Sequence, residues 1–382
     1  MINTSIPIYL DYNATTPIDK EVAKEMLPYI QNWFGNPSSS YSIGRKTKEA
    51  VNIAREQVSG LINASPDEIV FTSGGTESNN HAIRGIALAN QEKGKHIITS
   101  EIEHPTVTEV CNYLASLGWD ITYVPVDNFG SVNPKDVEKS IRKDTTLITI
   151  MHANNEVGTI QPIEEIGVIA RKHNVVFHTD AAQSVGKIES DVRKLGVDLL
   201  TIAGHKLYAP KGIGALYIKK GTQIEKLMFG AGQEKGFRPG TENVPYIVAL
   251  GKACQMAERD FIRNTQNMLS TKNRLLKGLT AKLNDIVQVN GAINNCLPNT
   301  LSVAFLGIEA HSLASSISKQ IFISTGSACH ADSIEISPVL KAMKIELMTA
   351  ASTVRISTGK HTTESEIDVA IDVITNAIKK LL

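Results

Sequence analysis

The chain is poor in cysteine and spaces it badly for metal binding. Cys111, Cys254, Cys296 and Cys329 are its only four, and none sits in a C-x-x-C pair, which argues against both a zinc knuckle and a disulfide framework. Charge of one sign is missing too. With 39 basic and 39 acidic residues there is no net field to steer the protein toward nucleic acid or an anionic membrane, so neither is expected as a partner. No apolar run approaches the ~18 residues of a membrane span. Residues 1–7 carry neither the basic region nor the apolar stretch of a signal peptide, so a cytoplasmic protein is expected. Internal repeats and low-complexity segments are also lacking. What remains is ordinary globular composition, 42% hydrophobic and 20% charged over 382 residues, which suits two or three packed units better than one small core.

Periodicity divides the chain. Ala50, Val51, Ala54, Val58, Leu61 and Ile62 recur at helical spacing between Gly44 and Ile62, and Ile69-Val70-Phe71 then reads as a short buried strand. Strands are predicted over 96–100, 121–127, 146–151, 175–179 and 199–203, separated by helical stretches such as 104–118 and 162–174. This alternation predicts an α/β fold with a mostly parallel sheet, whose ligands collect at the carboxyl ends of the strands. A single long helical run is expected over 243–283. Beyond it, strands at 301–305, 321–324 and 354–357 alternate with helices at 311–318 and 364–382 in an α+β arrangement. The expected organisation is an N-terminal segment (1–16) packing with the smaller domain, a large α/β domain (17–255), and a small C-terminal domain (256–382).

Several segments carry candidate chemistry. Phe71-Thr-Ser-Gly-Gly-Thr-Glu-Ser-Asn79 follows a strand and opens a helix, so Gly75 and Thr76 could close backbone N–H groups around a phosphate. The same residues also make a good turn and helix cap, and no Gly-Lys-Ser/Thr follows to make a Walker loop. Asp180 ends one predicted strand, and Ala203-Gly204-His205-Lys206 ends the next. An acid and a lysine so placed can face one ligand, as pyridoxal phosphate (PLP) requires: a lysine to bond the cofactor and a carboxylate to keep its pyridine nitrogen protonated. Taken singly, Lys206 is equally a solvated lysine and Asp180 a helix cap; the phosphate loop tips the balance. His104 starts a helix at the same sheet edge, where an imidazole could stack on a flat ring or simply cap the helix. Asn154-Asn155-Glu156 brings amides to that edge.

The cysteines differ in setting. Cys111 and Cys254 fall in helix-patterned stretches and read as small core residues. Cys329, in Ser324-Thr-Gly-Ser-Ala-Cys329-His330, belongs to a polar loop expected to be mobile from Ser327 to Ser337. An exposed thiol beside His330 can reach the thiolate state of a nucleophile. Arg355, on the strand 354–357, is a candidate bidentate partner for a carboxylate.

Together, Tyr9-Leu-Asp-Tyr-Asn-Ala-Thr-Thr-Pro17, Phe34-Gly-Asn-Pro-Ser38, the segment from Phe71 to Ser78, His178-Thr-Asp-Ala-Ala-Gln183, Gly204-His-Lys206, Arg238-Pro-Gly-Thr-Glu-Asn243 and Gly326-Ser-Ala-Cys329 resemble the class V aminotransferase superfamily of PLP enzymes, in its cysteine desulfurase and selenocysteine lyase branch. The resemblance runs from about Ile8 to the final helix and implies PLP fold type I. It implies that Lys206 is the Schiff-base lysine, that Asp180 partners the pyridine nitrogen, Gln183 lies by the ring hydroxyl, and His104 stacks on the ring. It places Gly75, Thr76 and His205 at the phosphate, with Thr241 reaching it from the other subunit of a homodimer. Asn155 and Arg355 would bind the amino-acid carboxylate and its surroundings, and Cys329 would receive sulfur from L-cysteine and pass it to a protein acceptor of unspecified identity.

Two departures stand out. Ala203 occupies a position where many desulfurases carry a hydroxyl that contacts the phosphate, leaving only a backbone contact there. The chain also stops at Leu382 without the tail that some members use to dock an iron–sulfur scaffold. Selenocysteine lyase remains the main rival, since Tyr41-Ser-Ile-Gly-Arg-Lys46 and Ala328-Cys-His330 fit it as well, with L-selenocysteine as substrate. A catalytically idle sulfur-relay subunit and a nucleotide-binding protein using Ser73-Gly74-Gly75 are the alternatives of other classes.

Overall fold

The computed structural model describes residues 7–330 and 333–382, with 327–330 and 333–335 described by backbone alone. Seven strands form the main sheet, in the order Ile69–Thr72, Gly214–Ile218, Leu199–Ala203, Val176–Asp180, Thr145–Thr149, His96–Ser100, Asp120–Val124. Gly214–Ile218 runs antiparallel to both neighbours, and the other six strands share one direction. Helices cover both faces, so six of the seven strands are buried almost throughout, and only the edge strand Asp120–Val124 is partly open. One core holds the helices Ser42–Leu61 and Val244–Arg259 against one face of the sheet. On the other face Ile83, Ile86, Val107, Val110 and Leu114 pack the helices Gly75–Asn90 and Pro105–Ser116 together. Cys111 and Cys254 are fully buried in these cores, as small hydrophobes.

The predicted alternation accounts for the parallel strands but misses Gly214–Ile218. Only the single 3-10 turn Gly204–Lys206 separates it from Leu199–Ala203; the chain returns within ten residues, too short for a parallel crossover, and therefore pairs antiparallel. The expected single helix over 243–283 is two, Val244–Arg259 and Phe261–Leu283. They break at Asp260, whose backbone (φ −103°, ψ 12°) leaves helical geometry and whose carboxylate pairs with Arg259 and Arg263.

A second core lies around a four-stranded antiparallel sheet, Ser324–Thr325, Thr353–Ser357, Thr300–Phe305, Val287–Asn290, backed by Phe261–Leu283 and Glu364–Leu381. The last helix starts with a capping box, Thr363 with Glu366. From the other end of the chain, Ile8–Tyr9 pairs parallel with Ile321–Phe322, and Leu10 is buried in this second core. The segment expected to be a loop after Ser327 is instead a ribbon: the backbone of Ser327–His330 pairs antiparallel with Ser333–Ile336. The β-branched Ile334 and Ile336 in its second strand suit that pairing. Among the described residues, no helix is long and apolar enough to cross a membrane.

Candidate active site

A cavity of about 430 Å³ opens at the carboxyl ends of the parallel strands, between the two cores. The first wall is the helix Gly75–Asn90. Gly74 reaches it with φ +148°, a conformation that L side chains rarely adopt, and a Cβ on Gly75 would press within 3.3 Å of the Ala203 Cβ. The chain therefore presents bare backbone here, where the first N–H groups of a helix have no intrahelical partner. Thr76 and His205 line the same cavity. Burial, and then the neighbouring Lys206, depress His205 to a pKa of about 4, so its ring is neutral, and Nδ1 lies 3.2 Å from Thr15 Oγ1.

Asp180 ends its strand almost buried. Its Oδ2 accepts from Asn79 Nδ2 at 2.7 Å and its Oδ1 from the Ala182 N–H at 2.9 Å, which fixes the carboxylate in the cavity wall. Asn79 Nδ2 also reaches Thr106 Oγ1, which lies 2.9 Å from His104 Nδ1. His104 caps its helix by accepting the Thr106 N–H, and Pro105 follows at the first helical position. With Nδ1 accepting, the proton of the neutral ring sits on Nε2. Burial holds this imidazole below its ordinary pKa, with Asp180 opposing.

Lys206 sits in the turn after Leu199–Ala203, and its Nζ donates to the carbonyls of Asn13 at 2.5 Å and Ala14 at 2.7 Å. Burial, followed by the charge of Arg355, lowers its pKa to about 8, which raises the share of free amine near neutrality. Gln183 donates to the same Asn13 carbonyl at 2.9 Å. Arg355 enters from the second core; its Nη2 lies 2.8 Å from Asp11 Oδ1, and its Nη1 donates to the Asn155 carbonyl at 3.1 Å.

Eleven of the twelve residues proposed from sequence for cofactor or substrate can thus be followed. Gly75, Thr76, His104, Asn155, Asp180, Gln183, Ala203, His205, Lys206 and Arg355 converge on one cavity, whereas Thr241 is exposed and lies off the cavity of its own chain. The side chain of Cys329 is outside the described residues. The base of its ribbon, Gly326, Ile336 and Ser337, lines an adjoining cavity of about 500 Å³ that shares Asn155 and Arg355 with the first. Sequence reasoning overlooked Asp11, Asn13, Asn79 and Lys187. The motif Tyr9–Pro17 was the signal for the first two, but an acid and an amide near the N-terminus reveal no partners until the chain folds.

The family model described as aminotransferase class-V matches residues 8–369. The chain belongs to this family. Within it, the protein is 46% identical over 375 residues to cysteine desulfurase IscS of Dictyoglomus turgidum, covering 98% of this chain and 95% of the relative. Among solved structures, a NifS-like protein superposes with a TM-score of 0.93 at 37% identity, over 98% of this chain and 100% of the other. SspA in complex with cysteine superposes with a TM-score of 0.83 at 39% identity, over 93% and 100%. The α/β fold with its mostly parallel sheet is the PLP fold type I expected of this class-V aminotransferase family member.

Proposed function

We infer that the protein is a PLP-dependent cysteine desulfurase, which converts L-cysteine to L-alanine and leaves the sulfur as a persulfide on Cys329. The observation that carries this reading is Lys206 and Asp180 facing one cavity from the ends of adjacent strands, in a chain close over its whole length to cysteine desulfurases. The donor set fits the cofactor. Bare backbone at Gly75 with Thr76 and His205 suits a phosphate, Asp180 a protonated pyridine nitrogen, Gln183 a ring hydroxyl, and the neutral imidazole of His104 a ring face. The side-chain hydroxyl missing at Ala203 leaves the helix N-terminus and its neighbours to hold the phosphate.

Bound PLP supplies an aldehyde that bonds amines and a ring that takes up the electrons left when the α-C–H bond of an amino acid breaks. The rest falls to the chain. Arg355 binds the substrate carboxylate beside Asn155, which fixes the α-carbon relative to Lys206. Lys206, with its lowered pKa, takes and returns protons at carbon as a free amine. The Cys329 thiolate attacks the substrate sulfur: an S–S bond forms, the C–S bond breaks, and its electron pair stays on the alanine carbon, which gains a proton. The persulfide is then available to a protein acceptor.

A homodimer belongs to the proposal, because Thr241 can serve a phosphate only in a partner's cavity. Phe229 and Phe34, 88% and 81% exposed, are apolar surface for such an interface. A cytoplasmic setting is part of the same reading, as it keeps the thiol reduced.

The test is purified protein with PLP. Wild type should be yellow and release alanine from L-cysteine with a thiol reductant; Lys206→Ala should lose both the visible band and turnover. A variant that kept both would overturn the assignment. Turnover of L-selenocysteine with none of L-cysteine would make the protein a selenocysteine lyase instead.

A further inference from the structure

Behind Gln183 lies a lysine that the chemistry above does not use. Lys187 is 6% exposed, and no carboxylate comes within ion-pair distance of it among the described residues. Gly186 (φ +77°) turns the chain under Gln183, in a place where a Cβ would strike Leu207 Cδ2 at 2.4 Å. Thr265 then pins the Lys187 carbonyl at 3.1 Å. The Lys187 Nζ donates to Gln183 Oε1 at 2.9 Å and to Asn13 Oδ1 at 3.3 Å. Asn13 Oδ1 also accepts from Asn299, while Asn13 Nδ2 donates to the Asn155 carbonyl and to Thr300. The charged groups that act on Lys187 are both cations, Lys206 and Arg355; with burial as the larger cause they lower its pKa to about 7.

A lysine amine directed at an amide in this way decides which way the amide faces. The Lys187 Nζ donates at once to the Gln183 and Asn13 side-chain oxygens, so the Gln183 oxygen faces Lys187 and its NH₂ is left to point at the Asn13 carbonyl beside Lys206. Packing alone would be served as well by methionine, which has similar length and no desolvation cost. Keeping a buried amine donor without a counter-ion makes sense where an anionic oxygen is to be held on the far side of the amide.

We propose that Lys187 is a positioning residue for the cofactor, fixing Gln183 so that it presents N–H to the acidic hydroxyl of the PLP ring. This rests on the PLP reading above. Without Lys187 the amide is free to turn its oxygen toward that hydroxyl, which disfavours the ionised hydroxyl.

Three variants test this: Lys187→Met, Gln183→Met and the double variant, with PLP affinity measured by absorbance titration and the visible band of the bound cofactor followed against pH. Each single variant should bind PLP about 10-fold more weakly, with the spectral midpoint raised by about one pH unit. The double variant should be no worse than Gln183→Met, because one residue acts through the other. A yellow, PLP-loaded Lys187→Met protein with the wild-type midpoint, or losses that add in the double variant, would overturn the inference and leave the cofactor reading standing. A colourless wild type overturns both. If Lys187→Met does not fold, Lys187→Gln keeps a donor for Gln183 and should stay nearer the wild-type midpoint than Gln183→Met does; a midpoint as high as that of Gln183→Met also overturns the proposal.

Discussion

Arg355, in the cavity wall, forms an ion pair with Asp11, Nη2 to Oδ1 at 2.8 Å, with side chains only 12% and 19% exposed. They come from opposite ends of the chain, and a parallel bridge between Asp11 and Ser357 holds their backbones together. Tyr9 tightens the arrangement by donating from its hydroxyl to the Asp11 carbonyl. The guanidinium is thus anchored through Nη2 on Asp11 and Nη1 on Asn155, while its Nε has no partner among the described residues. A planar fork held in this way can offer its remaining N–H groups to a carboxylate in one fixed orientation.

Arg355→Lys is therefore not a conservative change. The ammonium cannot span Asp11, Asn155 and a substrate carboxylate at once, and KM for L-cysteine should rise by about 10-fold or more while kcat changes less. Initial rates of alanine formation measure both. An unchanged KM would remove Arg355 from substrate binding.

At Ala203 the expected change is a gain. The residue is 3% exposed, lines the cavity and faces Gly75, so a serine there adds one hydroxyl beside the phosphate end with little added volume. One further hydrogen bond to a charged group contributes about 1.5 kcal/mol, so Ala203→Ser should bind PLP roughly 10-fold more tightly. Equilibrium dialysis of the cofactor decides it; weaker binding would mean that the phosphate lies elsewhere.

Much of this site was legible in the sequence because parallel strands deliver their carboxyl ends to one edge. Asp180, Ala203 and Lys206 needed only correct strand ends to be brought together, and Gly75 only the strand-to-helix turn. What could not be read was long-range pairing. Asp11 meets Arg355 across 344 positions and Asn13 meets Thr300 across 287, contacts that no local pattern encodes. Lys187 was hidden differently, since a lysine in a polar turn reads as solvated until the helix carrying Thr265 covers it. The antiparallel strand Gly214–Ile218 escaped because its short apolar run lacks the helix that announces its parallel neighbours.

Cys329 separates two halves of the chemistry. On the reading proposed above, cofactor binding and proton removal at the α-carbon depend on Lys206, whereas sulfur transfer depends on Cys329, whose backbone lies in the ribbon strand Ser327–His330. Cys329→Ser should remain yellow with PLP and exchange the α-proton of L-cysteine with deuterated solvent, yet form no persulfide and less than about 1% of the wild-type alanine. Intact-protein mass spectrometry after one turnover reads the persulfide directly. Full alanine production by this variant would sink the nucleophile role.

Glu103 lies next to His104 in sequence but is turned into the protein. Its carboxyl is buried and accepts from Ser100 Oγ at 2.5 Å and from the Met151 N–H at 3.0 and 3.1 Å, which holds Met151 in the cavity wall. Burial pushes its pKa up to about 8, with the charge of Asp180 adding to the rise and the two hydrogen bonds opposing it. The folded pKa lies above the unfolded one, so the contribution of this group to stability is complete below about pH 4.5 and is lost as pH rises through about 8. Glutamine keeps an oxygen for the Met151 N–H and does not titrate. Glu103→Gln should accordingly match wild type near pH 5 and exceed it near pH 9, by a few kcal/mol at most. Thermal melts of the two proteins across that range check the sign: curves that stay parallel would show that Glu103 is ionised in the folded protein throughout, held by the Ser100 and Met151 hydrogen bonds against the cost of its burial.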